Sequence, residues 1–213
     1  DVERSRGLGD VYKRQLYMNR IRPFIGGELI KVMTGIRRSG KSVMLELIKE
    51  ELAEAGVAPS QMISINFEDM RYSHLQTATA LHDEIIKRAE GIEGKAYLFF
   101  DEIQEVEGWE KCVNSLRVAL DCDIYITGSN AKLLSGELAT YIGGRYVEFV
   151  IYPFSFAEFL ELYHTIAPSD SIQQCFQKYL LAGGMPYLAN LRYEEEPSRQ
   201  LPLIHISEPT RPL

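Results

Sequence analysis

A lysine, a serine hydroxyl and a pair of adjacent carboxylates are the groups in this chain best suited to phosphate chemistry. Gly35-Ile36-Arg37-Arg38-Ser39-Gly40-Lys41-Ser42 has the spacing G-x-x-x-x-G-K-S. In that P-loop pattern the glycines let the backbone turn until its N–H groups converge on a phosphate. The helix that follows adds unpaired N–H groups and the positive end of its dipole. Lys41 is then placed to reach β- and γ-phosphates, and the Ser42 hydroxyl to hold Mg²⁺. The nucleotide-binding set runs from Gly35 to Ser42 and includes Val43, where the helical pattern begins. Arg37 and Arg38 either touch phosphate or are solvated, and their setting does not decide between the two. A glycine-rich turn with a solvated lysine is the plain alternative. The flanks argue against it, since the apolar run Leu29 to Thr34 leads in and a helical pattern from Val43 to Ala55 leads out.

The second chemical stretch is Ala96-Tyr97-Leu98-Phe99-Phe100-Asp101-Glu102, an apolar run ending in two carboxylates. This is the Walker B arrangement, in which the Asp at the strand tip binds Mg²⁺ opposite the P-loop Ser. Glu102 can polarise the water that attacks a γ-phosphate. An immediate Glu favours an NTPase that hydrolyses with its own carboxylate over a switch-type GTPase. A third stretch, Asp123 to Thr127, ends in Gly128-Ser129-Asn130. Small polar groups at a strand's carboxyl end sit where open α/β sheets bind ligands. Asn130 either positions the γ-phosphate or attacking water, or caps the next helix, or does both. Arg145, at a helix–strand corner after Gly143-Gly144, is either a surface residue or an arginine finger presented to a neighbouring subunit's nucleotide.

The elements that must position these groups follow from periodicity. Strands are expected at 29–34, 62–67, 96–102, 123–127 and 146–152, alternating with helices at 43–55, 78–89, 109–120 and 131–142. A first helix over Leu16 to Phe24 shows Leu16, Tyr17, Ile21 and Phe24 at helical spacing, and Glu68 to Ser73 reads as a polar loop. After Pro153 only helices are expected, one over 154–163 with Phe156, Phe159, Leu160 and Tyr163 inward and another over 171–181. The fold class is therefore α/β, a five-stranded, mostly parallel sheet flanked by helices, with a helical C-terminal appendage.

Composition narrows the classes. The 213 residues carry a net charge of −7, which disfavours a surface that coats nucleic acid and leaves a local basic patch open. No apolar run is long enough to span a bilayer, and no signal peptide opens the chain. Cys112, Cys122 and Cys175 form no Cys-x-x-Cys and read as reduced, mostly buried thiols, so a cytoplasmic location is expected. The four histidines do not cluster.

The two ends look alike at the nucleic-acid level. Ser5 to Gln15 can be back-translated to a string whose reverse complement encodes Leu-Ser-Leu-Ile-His-Ile-Ser-Glu-Pro-Thr-Arg. The chain carries Leu201-Pro202-Leu203-Ile204-His205-Ile206-Ser207-Glu208-Pro209-Thr210-Arg211, one base change away. The string resembles a sequencing adapter translated at both ends. Residues 1–15 and 201–213 are accordingly expected to be non-native tails, with a nucleotide-binding domain over 16–153, a helical lid or the start of a further domain over 154–200, and a natural protein that continues past Gln200.

Taken together, T-G-I-R-R-S-G-K-S, I-N-F-E-D, Y-L-F-F-D-E-I-Q, G-W-E, I-Y-I-T-G-S-N-A-K-L-L-S-G-E-L-A-T, G-R-Y and Y-P-F-S-F-A-E-F-L resemble the prokaryotic AAA+-type predicted ATPases, in which an AAA domain precedes a C-terminal domain of unknown function. The likeness runs from about Leu16 to Asn190. It implies that the Asn130 strand lies between the P-loop and Asp101 strands. It also implies that Asn130 is the sensor-1 residue and that Arg145 is the equivalent of an arginine finger, which would make a homo-oligomer. ATP rather than GTP rests on this resemblance, since no N-K-x-D appears. The expected reaction is hydrolysis of ATP with Mg²⁺, with Lys41, Glu102, Asn130 and Arg145 catalytic and Ser42 and Asp101 on the metal. A nucleotide-held switch that binds a partner and turns over slowly is the alternative. A DNA-processing accessory role is implied only by domain company.

Overall fold

A computed structural model of the chain describes residues 14–128, 142–166 and 169–184. The chain divides into two compact units, Lys13–Tyr152 and a second that takes in Pro153–Leu213.

The first unit is built on a sheet of five strands, β1 (Ile30–Thr34), β2 (Met62–Asn66), β3 (Ala96–Asp101), β4 (Cys122–Gly128) and β5 (Tyr146–Val150). Their order is β2-β3-β4-β1-β5, and every ladder is parallel. The strand that precedes Asn130 thus lies between the P-loop strand and the Asp101 strand, as the resemblance implied. The described helices are α1 (Gln15–Ile21), α2 (Lys41–Glu54), α3 (Ala78–Ala89) and α4 (Trp109–Ala119). A parallel sheet needs cover on both faces, and the near-continuous apolar strands supply it. Val32, Ile65, Leu98, Phe100, Ile124 and Ile126 pack on one side with Leu81 and Ile85 of α3 and Val113 and Leu116 of α4. Met33, Phe99, Tyr125 and Phe149 alternate onto the other side, against Met18 and Ile21 of α1 and Met44, Leu45 and Ile48 of α2. Phe99 and Tyr125 stack there with ring centroids 4.8 Å apart.

Two details of this unit differ from the periodicity. Leu16 is exposed, and Met18 takes the inward place beside Tyr17 and Ile21. The stretch expected as a polar loop contains a 3-10 turn, Met70–Leu75, which begins on Asp69 accepting from the Arg71 N–H and ends by burying Leu75. Arg14, just before α1, is buried; its guanidinium donates to the Ser39 carbonyl at 2.9 Å and the Tyr152 carbonyl at 2.6 Å.

In the second unit, α5 (Phe156–Ile166) and α6 (Ile172–Ala182) pair through rings. Phe156 meets Phe176 edge-on at 5.0 Å, and Phe159 stacks on Tyr163 at 5.3 Å. Leu162, rather than Leu160, is the buried aliphatic of α5. A capping box starts α6, where the Ser171 hydroxyl accepts from the Gln174 N–H and the Gln174 side chain accepts from the Ser171 N–H. The Lys178 ammonium donates to Tyr163 at 2.5 Å and to Asp170 at 2.9 Å, and these partners hold it above the usual lysine range.

Candidate functional site

Because all five strands run the same way, the carboxyl ends of β1, β3 and β4 come to one edge. Register sets what meets there. Thr34 of β1 pairs with Gly128 of β4, and Phe100 of β3 pairs with Ile126 of β4. Asp101 therefore falls beside Thr127, whose hydroxyl donates to the Asp101 Oδ1 and accepts from the Glu102 N–H at 3.0 Å. One threonine side chain fixes both acidic positions from the neighbouring strand.

The P-loop lies between β1 and α2 on this edge. Gly35 has φ +153°, and a Cβ there would stand 2.3 Å from the Ile151 carbonyl oxygen. Only glycine lets β1 and the segment after β5 close this tightly. Arg38 and Gly40 take left-handed backbone, at φ +66° and +97°, which turns the chain sharply into α2. Gly40 is the N-cap of α2, and no side chain caps that end. The first N–H groups of a helix have no partner within it, so this terminus presents donors and a positive dipole to the site. Ile36, Arg37, Arg38 and Ser42 are exposed and Val43 is half-buried. Ser39 is fully buried, and its hydroxyl has no hydrogen-bond partner among the described residues. Of the two arginines left open by the sequence, Arg37 pairs with Glu68, after β2, at 2.8 Å.

Lys41 is buried beneath the loop. Its Nζ donates to the carbonyls of Gly35 and Ile36, each at 3.3 Å, and lies 3.3 Å from the Glu102 carboxylate. The P-loop lysine and the second carboxylate are thereby brought together across β4. Glu102 itself has left-handed backbone, φ +55° and ψ +47°, an uncommon state for a residue with a side chain. Its second carboxylate oxygen accepts from the Gln104 amide at 2.5 Å. Gln104, like Thr127, bonds one of the paired carboxylates without being singled out by motif or spacing. Its signal is nonetheless present, two positions beyond the carboxylate pair in a stretch too short for a new helix.

Of the two remaining candidates, one can be placed among the described residues. Asn130 lies outside the described residues. Arg145 is exposed at the other edge of the sheet, where its carbonyl accepts from the Ile30 N–H at the start of β1. Five strand residues at about 3.3 Å each separate it from its own P-loop, roughly 16 Å.

The donor set suits a hard cation. Asp101 is almost fully buried, and its Oδ2 has no bond to a described residue. Among the described residues no group of three or more His, Cys, Asp and Glu could hold a metal. Mg²⁺ uses one or two carboxylates plus phosphate oxygens and water, a demand that a single buried carboxylate such as Asp101 meets. The cysteines take no part. Burial pushes the Cys112 thiol up to about 12 and the Cys122 thiol up to about 11, far from nucleophilic. Among the described residues no helix is long and apolar enough to cross a membrane.

An all-parallel sheet with a glycine-rich loop, a buried lysine and two carboxylates at its carboxyl edge defines a P-loop ATPase-type α/β domain. Residues 28–160 match the protein family described as AAA domain, and the chain belongs to that family of AAA-type ATPases. An uncharacterised protein of Haemophilus influenzae is 43% identical over 173 residues, which covers 81% of this chain and 43% of that protein. The chain thus spans less than half the length of this relative. The Walker-type ATPase of Pyrococcus abyssi has the same fold, with a TM-score of 0.65 at 16% identity over 94% of this chain and 71% of that one. AMPPCP-bound DnaA from Aquifex aeolicus aligns with a TM-score of 0.53 at 16% identity, over 90% and 62%.

Proposed function

We propose that this domain binds ATP at the loop from Gly35 to Val43 and hydrolyses it to ADP and phosphate. The observation that carries the reading is the 3.3 Å approach of Lys41 to Glu102, with Asp101 as its neighbour, at the uncapped start of α2. The α2 N–H groups and Lys41 cradle the phosphates, and the ammonium neutralises their charge. Ser42 and Asp101 would hold Mg²⁺, which would supply positive charge to the phosphate oxygens. Glu102 accepts a proton from water as the water oxygen forms its bond to the γ-phosphorus and the bond to the β-bridging oxygen breaks. Asn130 orients that water. Positioning and electrostatic stabilisation supply most of the acceleration. The AMPPCP held by the DnaA neighbour supports the nucleotide, and the Walker-type ATPase of Pyrococcus abyssi supports the reaction.

Arg145 stands too far from its own P-loop to serve it. We assign it to the nucleotide of a neighbouring copy, which makes the active form a homo-oligomer. A nucleotide-held switch with slow turnover is the second reading. The Arg37–Glu68 pair favours it, because it ties the phosphate loop to the segment after β2, and a bound γ-phosphate would compete for Arg37.

Phosphate release with ATP and GTP, each with Mg²⁺, tests the function. Turnover is expected with ATP, binding is lost in Lys41→Ala, and Glu102→Gln keeps binding while turnover drops roughly 10²- to 10⁴-fold. Undiminished phosphate release in Glu102→Gln sinks the hydrolytic assignment. A single slow turnover, with a partner captured only in ATP, would select the switch.

A further inference from the structure

The Glu102 carboxylate is engaged at both oxygens, and the two contacts are unequal. Oε1 faces Lys41 at 3.3 Å, long for a charged pair, whereas Oε2 receives the Gln104 amide at 2.5 Å. We propose that Gln104 is a positioning residue for Glu102, and that the nucleotide-free site rests as a Lys41–Glu102–Gln104 chain which nucleotide opens at the Lys41 end alone. This rests on the reading of Glu102 as the group that takes the proton from water.

Three observations support it. The first is the rigidity of the platform. Gln104 sits in a single 3-10 turn, Ile103–Glu105, closed by the Glu105 N–H on the Glu102 carbonyl at 3.2 Å and the Val106 N–H on the Ile103 carbonyl at 3.0 Å. Ile103 and Val106 are buried in the core and pin the turn at both ends. The second is the orientation of the amide. The Gln104 Oε1 is buried and has no partner among the described residues. Rotating the amide would set that oxygen against a carboxylate, acceptor against acceptor, so Glu102 dictates which way it points. The third is the backbone of Glu102, left-handed and tied through its N–H to Thr127. Backbone, one carboxylate oxygen and flanking turn are therefore all held, and the Lys41 contact is the one loose end.

The consequence is a defined exchange. A phosphate draws Lys41 away from Glu102, because it offers the ammonium more negative charge than one carboxylate does. Oε1 is then released to face water, while Gln104 keeps Oε2, so the carboxylate swings little as its partner changes. ATP binding would thus arm the base without moving it.

The test is steady-state ATP hydrolysis by the purified chain, with ADP affinity measured by a fluorescent ADP analogue. Gln104→Met keeps length and bulk and removes the donor. Its kcat is expected to fall roughly 10- to 100-fold, as for a reacting group set about 1 Å astray, with KM and ADP affinity within about twofold. Gln104→Glu, which puts an acceptor in the same space, should fall at least as far. The double variant Glu102→Gln/Gln104→Met should be no slower than Glu102→Gln, because Gln104 acts only through Glu102. Wild-type kcat in Gln104→Met, an equal loss of ADP affinity, or further slowing in the double variant would each overturn the proposal. An active wild type that loses turnover in Glu102→Gln and keeps it in Gln104→Met removes this inference and leaves the ATPase reading standing. Turnover that survives Glu102→Gln, or no turnover in the wild type, removes both.

Discussion

Two buried lysines, Lys31 and Lys41, sit at opposite ends of the P-loop strand and its loop. Lys31, on β1, is fully buried. Its ammonium donates to the Asp123 carboxylate and to the Gly27 carbonyl at 2.9 Å, and lies 5.2 Å from the centre of the Tyr125 ring. Asp123 in turn accepts from the Gly26 N–H and the Tyr125 hydroxyl, each at 2.7 Å. Lys41 is nearly as buried, yet its three contacts are all at 3.3 Å. Around it stand left-handed Arg38 and Glu102 and the Ser39 hydroxyl, which has no partner among the described residues. The amino-end lysine is held by close protein partners, and the carboxyl-end lysine by longer contacts throughout. Burial of a lysine alone does not distinguish a structural ion pair from a ligand site. The quality of its partners does.

Removing each lysine is the hardest test of that contrast. Lys31→Met leaves Asp123 buried without its cation and should cost about 3–5 kcal/mol in a urea melt. Adding Asp123→Asn should recover part of the loss. Lys41→Ala should change stability by about 1 kcal/mol or less while abolishing nucleotide binding. A melt in which Lys41→Ala is the costlier change would reverse the assignment of the two ends.

Mixing experiments sharpen the position of Arg145. Arg145→Ala should bind nucleotide normally and turn over slowly. Combined in one solution, Arg145→Ala and Glu102→Gln chains should regain part of the wild-type rate, since a mixed pair contains one intact site made from two copies. Absence of any recovery, with oligomers present, would return Arg145 to an ordinary surface role.

Two glycines carry the same contrast into the backbone. Gly26, at the amino end, has φ +77° and open space where an alanine methyl would stand, so Gly26→Ala should cost only the left-handed penalty of about 1–2 kcal/mol. At Gly35 the same methyl meets the Ile151 carbonyl at 2.3 Å. Gly35→Ala should cost more than Gly26→Ala in the same melt and weaken nucleotide binding as well. Equal melting of the two variants would show that the loop yields where its backbone looks fixed.

Much of the fold was legible because its signals are local. Strand–helix alternation appears in runs such as Ala96 to Asp101, and α3 begins and ends where periodicity places it. The differences arise where a pattern has two solutions. Helical spacing allows either Leu16 or Met18 to face inward, and only the packing partner, Ile48 and its neighbours on α2, selects Met18. Lys31 reads as an interruption in an apolar run because its partner, Asp123, lies on a strand far along the chain.

For the site, the residue types and their placement at strand ends came from the sequence alone. Gly35 to Ser42 and Asp101-Glu102 carry their chemistry in spacings of a few residues, which backbone geometry translates directly. What required tertiary structure was every relation across strands. Parallel register sets Thr127 beside Asp101, the β3-β4-β1 order brings Glu102 to Lys41, and the same common direction carries Arg145 to the far edge. Gln104 belongs with these. Its importance depends on which carboxylate oxygen Lys41 leaves free, and that is decided by contacts between segments roughly sixty residues apart, where no local periodicity reaches.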